Sequence, residues 1–160
     1  MHDVKIEESP LWMKRRLNLV GIGAISNVVD ITNYILKELG QPMHAFDYTT
    51  LEGDAINVRR AVDGEKIVTL DEDELTLTTE NMLICDGVKP VALAGVMGGL
   101  NSEIKDTTTT VLFESAKFAR DNIRRTSRAV GKASDSSARY AKGVDEYATV
   151  MAMKRALHLI

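Results

Sequence analysis

Between residues 56 and 114 the apolar residues fall in short runs separated by turn residues, whereas on either side of this block they recur at helical spacing. That segregation constrains the fold more than any other feature. Strands that do not alternate with helices cannot build a parallel sheet from βαβ units. They imply an α+β fold, with a mixed, mainly antiparallel sheet core and flanking helices. The expected strands cover 56–60, 66–70, 75–78, 82–86, 91–94 and 110–114, punctuated by Val62-Asp-Gly-Glu65 and Asp71-Glu-Asp-Glu74.

The helical segments carry their own start and stop signals. Ser9-Pro10 suits a helix start, with serine as cap and proline at the first helical position. Trp12, Met13, Leu17 and Val20 then form an apolar stripe that Gly21 ends. A second helix over 28–39 buries Val28, Ile31, Ile35 and Leu39 and stops at Gly40. Pro42 forbids its continuation, so His44 is presented on a loop or a short strand. A third helix over 119–130 sets Arg120, Arg124 and Arg128 on one face and ends at Gly131. The run 132–137 reads as a polar loop. Asp145 is expected to cap a last helix over 146–159 with Tyr147, Val150, Met151 and Leu157 inward. That helix reaches the final residue without a stop signal, as in a piece of a longer protein.

Length suits a single domain with a proper core. The lone cysteine, Cys85, lies in the apolar run Met82-Leu-Ile-Cys85 and reads as a buried thiol. One cysteine permits no intrachain disulfide and no cysteine-based zinc site, which fits a reducing cytoplasm. No apolar run approaches the length of a membrane-spanning helix, and the N-terminus lacks the apolar core of a signal peptide. Charge is unevenly spread: residues 1–116 hold 10 Lys and Arg against 19 Asp and Glu, whereas residues 117–160 hold 10 against 4. The basic third suits either phosphate or a solvated face paired to the acidic part.

The stretch from Pro90 to Glu103 is interrupted by Gly95, Gly98 and Gly99, and a following run, Val111-Leu-Phe113, ends in Glu114. Glycines of this density serve a turn or a close approach better than a core strand. Gly98-Gly99 is expected to form one wall of a pocket with Glu114 within reach. No Walker loop, dinucleotide fingerprint, zinc-ligand spacing or nucleophile elbow is present. His44 has Asp47 nearby, but one histidine and one carboxylate in a loop read first as a surface or capping histidine and only weakly as acid–base machinery.

Three stretches together are more specific. Asn27 to Asp47, Val91 to Gly99 with Val111-Leu-Phe-Glu-Ser-Ala116, and Ile123 to Gly131 with Ser134-Asp-Ser-Ser-Ala-Arg-Tyr140 and Gly143-Val-Asp145 cover most of the chain. In this order they resemble the editing domain of the β-subunit of bacterial phenylalanyl-tRNA synthetases. The resemblance implies a single tRNA-editing domain over 1–160, a fragment of a longer cytoplasmic β-subunit. Such a domain hydrolyses tRNA(Phe) mischarged with tyrosine. It implies a catalytic set of His44, Gly98 and Gly99, and a substrate-binding set of Glu114, Ser134 and Ser136, with no metal ligand. No cofactor is expected in this chain, while ATP and Mg2+ serve the parent enzyme. The implied partners are the charged tRNA, the synthetase α-subunit and the remaining β-subunit domains of an α2β2 heterotetramer, and no membrane. Ser136, where alanine is common in the family, adds a hydroxyl, and Lys132 stands where an apolar residue is common. The competing expectations are a non-catalytic module that binds RNA or a subunit, and a structural scaffold with a degenerate site.

Overall fold

The computed structural model describes residues 1–160. In chain order its elements are α1 (Leu11–Leu19), α2 (Asn27–Leu39), β1 (Met43–Asp47), β2 (Asn57–Arg60), β3 (Lys66–Val68), β4 (Glu74–Thr76), β5 (Met82–Cys85), β6 (Pro90–Leu93), β7 (Met97–Gly98), β8 (Val111–Ser115), α3 (Arg120–Ala129), α4 (Asp135–Lys142) and α5 (Ala148–Leu159). The fold is α+β and every strand pairing is antiparallel. The chain divides into two compact units, residues 1–49, 104–117 and 144–160 in one, and 50–103 and 118–143 in the other.

In the first unit, β1 and β8 form a two-stranded ribbon although some sixty residues separate them in the chain. Met43 and Phe113 pack with Met13, Leu17, Ile31, Tyr34 and Ile35, so one face of the ribbon closes the core built by α1, α2 and α5. α2 forms as its periodicity demands: Val28, Ile31 and Ile35 are buried, and Gly40 ends it in the left-handed conformation at φ 73°.

Four expectations for this unit are corrected. Ser9 does not cap α1; its hydroxyl donates instead to the buried carboxylate of Asp30 at 2.6 Å, and Pro10 occupies the cap position. Trp12 and Val20 are exposed, leaving Met13 and Leu17 as the buried stripe of α1. In α5, Tyr147, Val150, Met151 and Leu157 are exposed, whereas Ala152 and Ala156 are buried. Small residues on the inner face let α5 lie against α2, where Arg155 grips Glu38 through two hydrogen bonds of 2.8 and 3.0 Å. Asp145 accepts from the Tyr147 amide at 3.0 Å, ahead of the helix rather than at its cap.

The second unit holds a four-stranded sheet in the order β2–β5–β6–β7 and the β3–β4 hairpin. Leu77, Leu83, Leu93, Ile123 and Tyr140 are its largest enclosed side chains, and Cys85 is buried as expected. α3 ends in a left-handed glycine motif: the amides of Gly131 and Lys132 donate to the carbonyls of Arg128 and Ser127 at 3.3 and 3.0 Å. The run expected as a polar loop leads into α4, which begins with a capping box. No helix is long and apolar enough to cross a membrane.

Candidate functional site

The expected site residues fall into two groups, one in each unit. In the first unit the antiparallel register sets His44 directly opposite Glu114 on the β1–β8 ribbon. Residues so opposed hold their Cβ atoms about 4.5–5.5 Å apart on one face. Phe46 and Leu112, two positions along each strand, share that face, and the Phe46 ring meets the His44 ring edge-on at 4.6 Å between centroids. Ala45 and Val111, each an odd number of positions along its strand, point to the other face and into the core with Val4 and Val28.

Neither titratable group is satisfied within the protein. His44 Nε2 is enclosed without a hydrogen-bond partner. Burial alone lowers the His44 imidazole from 6.5 to about 4, so it is neutral at physiological pH. Burial alone raises the Glu114 carboxyl from 4.5 to about 7, with no hydrogen bond or neighbouring charge offsetting it. An unpartnered carboxyl among apolar side chains is costly, and groups shifted in this way cluster at functional sites. Asp47 is not the partner of His44. It lies three residues along the strand, hence on the opposite face, and accepts hydrogen bonds from Thr49 and Thr108 at 2.7 Å each.

The second unit carries Gly98, Gly99, Ser134 and Ser136. Gly98 ends β7 opposite Ala92, and its carbonyl accepts from the Leu70 amide at 3.0 Å. Gly99 is required by close approach: a Cβ there would sit 2.6 Å from the Val91 carbonyl oxygen. Its amide donates to that same oxygen at 2.8 Å. Gly99 therefore offers no free N–H to a bound group. Gly95 sustains the turn between β6 and β7 at φ 68°, where a Cβ would lie 2.8 Å from Ile123 and from Phe118.

Ser134 is the hinge between this glycine loop and α4. Its hydroxyl donates to the Val96 carbonyl at 2.7 Å and accepts the Ser137 amide at 3.1 Å, while the Ser137 hydroxyl accepts the Ser134 amide at 2.9 Å. Ser136, in the first turn of α4, is half-buried. Sequence reasoning missed Ser137, although Ser134-x-x-Ser137 is the spacing of a reciprocal cap. It also gave no role to Asp71 and Asp73, whose carboxylates bind Lys132. The arginines of α3 are exposed: Arg124 donates to the Ala141 carbonyl at 3.0 Å, and Arg120 lies over Gly143. No group of three or more His, Cys, Asp or Glu side chains is arranged to hold a metal ion.

The chain belongs to the B3/4 domain family, whose model matches residues 1–160. Over all 160 residues it is 51% identical to the phenylalanine–tRNA ligase β-subunit of Syntrophus aciditrophicus. It is 53% identical over 158 residues, 99% of the chain, to the β-subunit of Bacillus cereus, and 53% over 152 residues, 95% of the chain, to that of Oleidesulfovibrio alaskensis. The chain spans about a fifth of these relatives, covering 20%, 20% and 19% of their lengths respectively.

Proposed function

We propose that this chain is the editing module of a phenylalanine–tRNA ligase β-subunit and hydrolyses the ester of tRNA(Phe) mischarged with tyrosine. The observation that supports this reading most is the opposed, unpartnered pair of His44 and Glu114. Tyrosine differs from phenylalanine by one hydroxyl, which an apolar pocket rejects poorly. A site that hydrogen-bonds the hydroxyl discriminates by about 10⁴–10⁵, because the smaller ligand leaves a buried polar group unpaired. Glu114 supplies that group: its carboxylate accepts the phenolic O–H, and phenylalanine leaves it bare.

In the reaction a water attacks the ester carbonyl, the carbon–oxygen bond to the terminal ribose breaks, and the water's proton passes to the ribose hydroxyl. His44, with a pKa of about 4, is a weak base at neutral pH. Its role is to orient the water or the terminal adenosine through its free Nε2. The resemblance adds Gly98, Ser134 and Ser136 of the second unit to the residues that serve this reaction, with Ser136 carrying a hydroxyl where alanine is common.

On this reading the parent enzyme is a cytoplasmic α2β2 heterotetramer that attaches phenylalanine to tRNA(Phe). The α-subunit and the remaining β-subunit domains supply aminoacylation with ATP and Mg2+, and the ester hydrolysis carried by this chain uses no cofactor. A second reading, a non-catalytic RNA-binding module, draws on exposed Arg120, Arg124 and Arg128. Deacylation of Tyr-tRNA(Phe) by the assembled enzyme, with Glu114→Ala beside wild type, separates the two. Loss of turnover in the variant supports editing, whereas binding without turnover in wild type supports the module.

A further inference from the structure

Three loops of the second unit are fastened to one another in a closed ring. The acidic turn at the β3–β4 hairpin is joined to the glycine loop by backbone: the Leu70 amide donates to the Gly98 carbonyl at 3.0 Å, and Thr69 bridges to Gly99. The glycine loop is joined to the start of α4 by the hydrogen bond from the Ser134 hydroxyl to the Val96 carbonyl. The segment leading into α4 is joined back to the acidic turn by Lys132, whose ammonium reaches Asp71 at 2.5 Å and also binds Asp73.

Each end of this last link is held in place. The amide of Lys132 closes the glycine motif that ends α3, and the Ser127 hydroxyl donates to its carbonyl. On the other side, the Thr69 hydroxyl donates to Asp71 at 2.5 Å. The Lys132 side chain is only 13% exposed, so its stem is packed while its head meets both carboxylates. Asp71 and Asp73 are themselves 42% and 64% exposed, so the link owes its hold to the fixed backbone at Lys132 and to two carboxylates sharing one ammonium rather than to burial.

We propose that Lys132 is a positioning residue for the editing reaction. Through Asp71 and Asp73 it sets the Ser134–Ser136 wall at its working distance from Gly98. The inference rests on the editing reading. It is specific to the polar chemistry at this position, because an apolar residue at 132 cannot hold the two carboxylates. Ser134 and Gly98 lie on different loops: Tyr140 of α4 packs beside Gly95 and the Ser134 hydroxyl reaches Val96, and the Lys132 link adds the tie from the segment before α4 to the acidic turn beside Gly98. Misplacement of about 1 Å costs on the order of 100-fold in rate.

The test uses the assembled full-length enzyme carrying this sequence, with wild type, Lys132→Met, Lys132→Arg, Asp71→Asn/Asp73→Asn and the combined variant. Single-turnover deacylation of Tyr-tRNA(Phe) is expected to slow by about 10- to 100-fold in Lys132→Met, with KM nearly unchanged. Arginine restores most of the rate, because its guanidinium engages both carboxylates. The combined variant is no slower than Lys132→Met, since each removes the same link. With enzyme saturating over tRNA, raising the salt slows wild type toward the Lys132→Met rate and leaves that variant's rate unaffected. Hydrogen exchange at the Ser137 amide reads the ring independently of activity: it is expected to accelerate in Lys132→Met and in the Asp71/Asp73 variant, with the amides of β5 unchanged as the control for folding. Wild-type turnover that Lys132→Met retains in full, or a loss that arginine does not restore, overturns the proposal. Ser137 exchange that is equal in all variants overturns the ring itself. A wild type that fails to hydrolyse Tyr-tRNA(Phe) overturns the editing reading instead.

Discussion

Glu114→Gln is expected to stabilise the protein above neutral pH, and the size of the effect follows from the burial of this one carboxyl. Burial lifts its pKa from 4.5 to about 7, which for a half-buried group corresponds to at most about 3 kcal/mol. Because the folded state binds the proton more tightly than the unfolded chain, stability falls as pH rises from about 4.5 to 7 and stays low above that. His44 acts in the opposite sense. Its pKa falls from 6.5 to about 4, so the unfolded chain binds the proton more tightly, and stability falls as pH drops from 6.5 toward 4. In the wild type the two contributions nearly cancel between pH 4.5 and 6.5. Glutamine at 114 removes one of them. Urea unfolding at pH 5, 6, 7 and 8 should show the variant gaining on wild type across the series, by up to about 3 kcal/mol at pH 8. It should also show the variant's own stability climbing between pH 4.5 and 6.5 as His44 of the unfolded chain loses its proton. Stabilisation at the expense of editing would mark Glu114 as a group retained for function rather than for folding. A variant no more stable relative to wild type at pH 8 than at pH 5 would refute the claim that this half-buried carboxyl is desolvated and unpartnered.

Other outcomes follow from the same geometry. Gly99→Ala should cost about 2–3 kcal/mol in denaturant unfolding, because the added Cβ meets the rigid Val91 carbonyl at 2.6 Å rather than a yielding side chain. His44→Ala should slow single-turnover deacylation by about 100-fold. In Glu114→Gln, which lacks the carboxyl that titrates near pH 7, the residual rate at saturating substrate should show no titration near pH 6.5, since the imidazole is already neutral there; an inflection at that pH in this variant would return His44 to general-base duty. Replacing Arg120, Arg124 and Arg128 with glutamine should raise the KM for Tyr-tRNA(Phe) and flatten its salt dependence, by about 0.7–0.9 in log–log slope for each phosphate no longer neutralised. An unchanged slope would leave these arginines as a solvated face.

Much of the architecture was legible because local signals and tertiary needs coincided. α2 carries a clean apolar stripe and a glycine whose φ of 73° only a residue without Cβ adopts freely, so its span is nearly as expected. α4 was hidden because Ser134-Asp-Ser-Ser137 has the composition of a loop while serving as a cap, and its buried face consists of little more than Ser137 and Tyr140. The inner face of α5 was misread for a related reason. Burial there follows close approach through Ala152 and Ala156, and the larger Tyr147 and Met151 are left outside. The site was legible as a set of residue types and hidden as an arrangement. Pairing of residues 43–47 with 111–115 is non-local, and only that register turns a histidine and a glutamate into opposed neighbours and puts Asp47 on the other face. The tether from Lys132 to the acidic turn was equally hidden, since 61 residues separate it from Asp71.

Whether Glu114 senses the tyrosine hydroxyl is decided by deacylation of Tyr-tRNA(Phe) and Phe-tRNA(Phe) side by side, using the assembled enzyme as wild type and as Glu114→Ala. The wild type should clear the tyrosyl ester and spare the phenylalanyl ester. The variant should lose the tyrosyl activity with no change toward phenylalanyl-tRNA. Tyrosyl clearance at the wild-type rate in Glu114→Ala would remove this carboxylate, and the selectivity built on it, from the editing reaction.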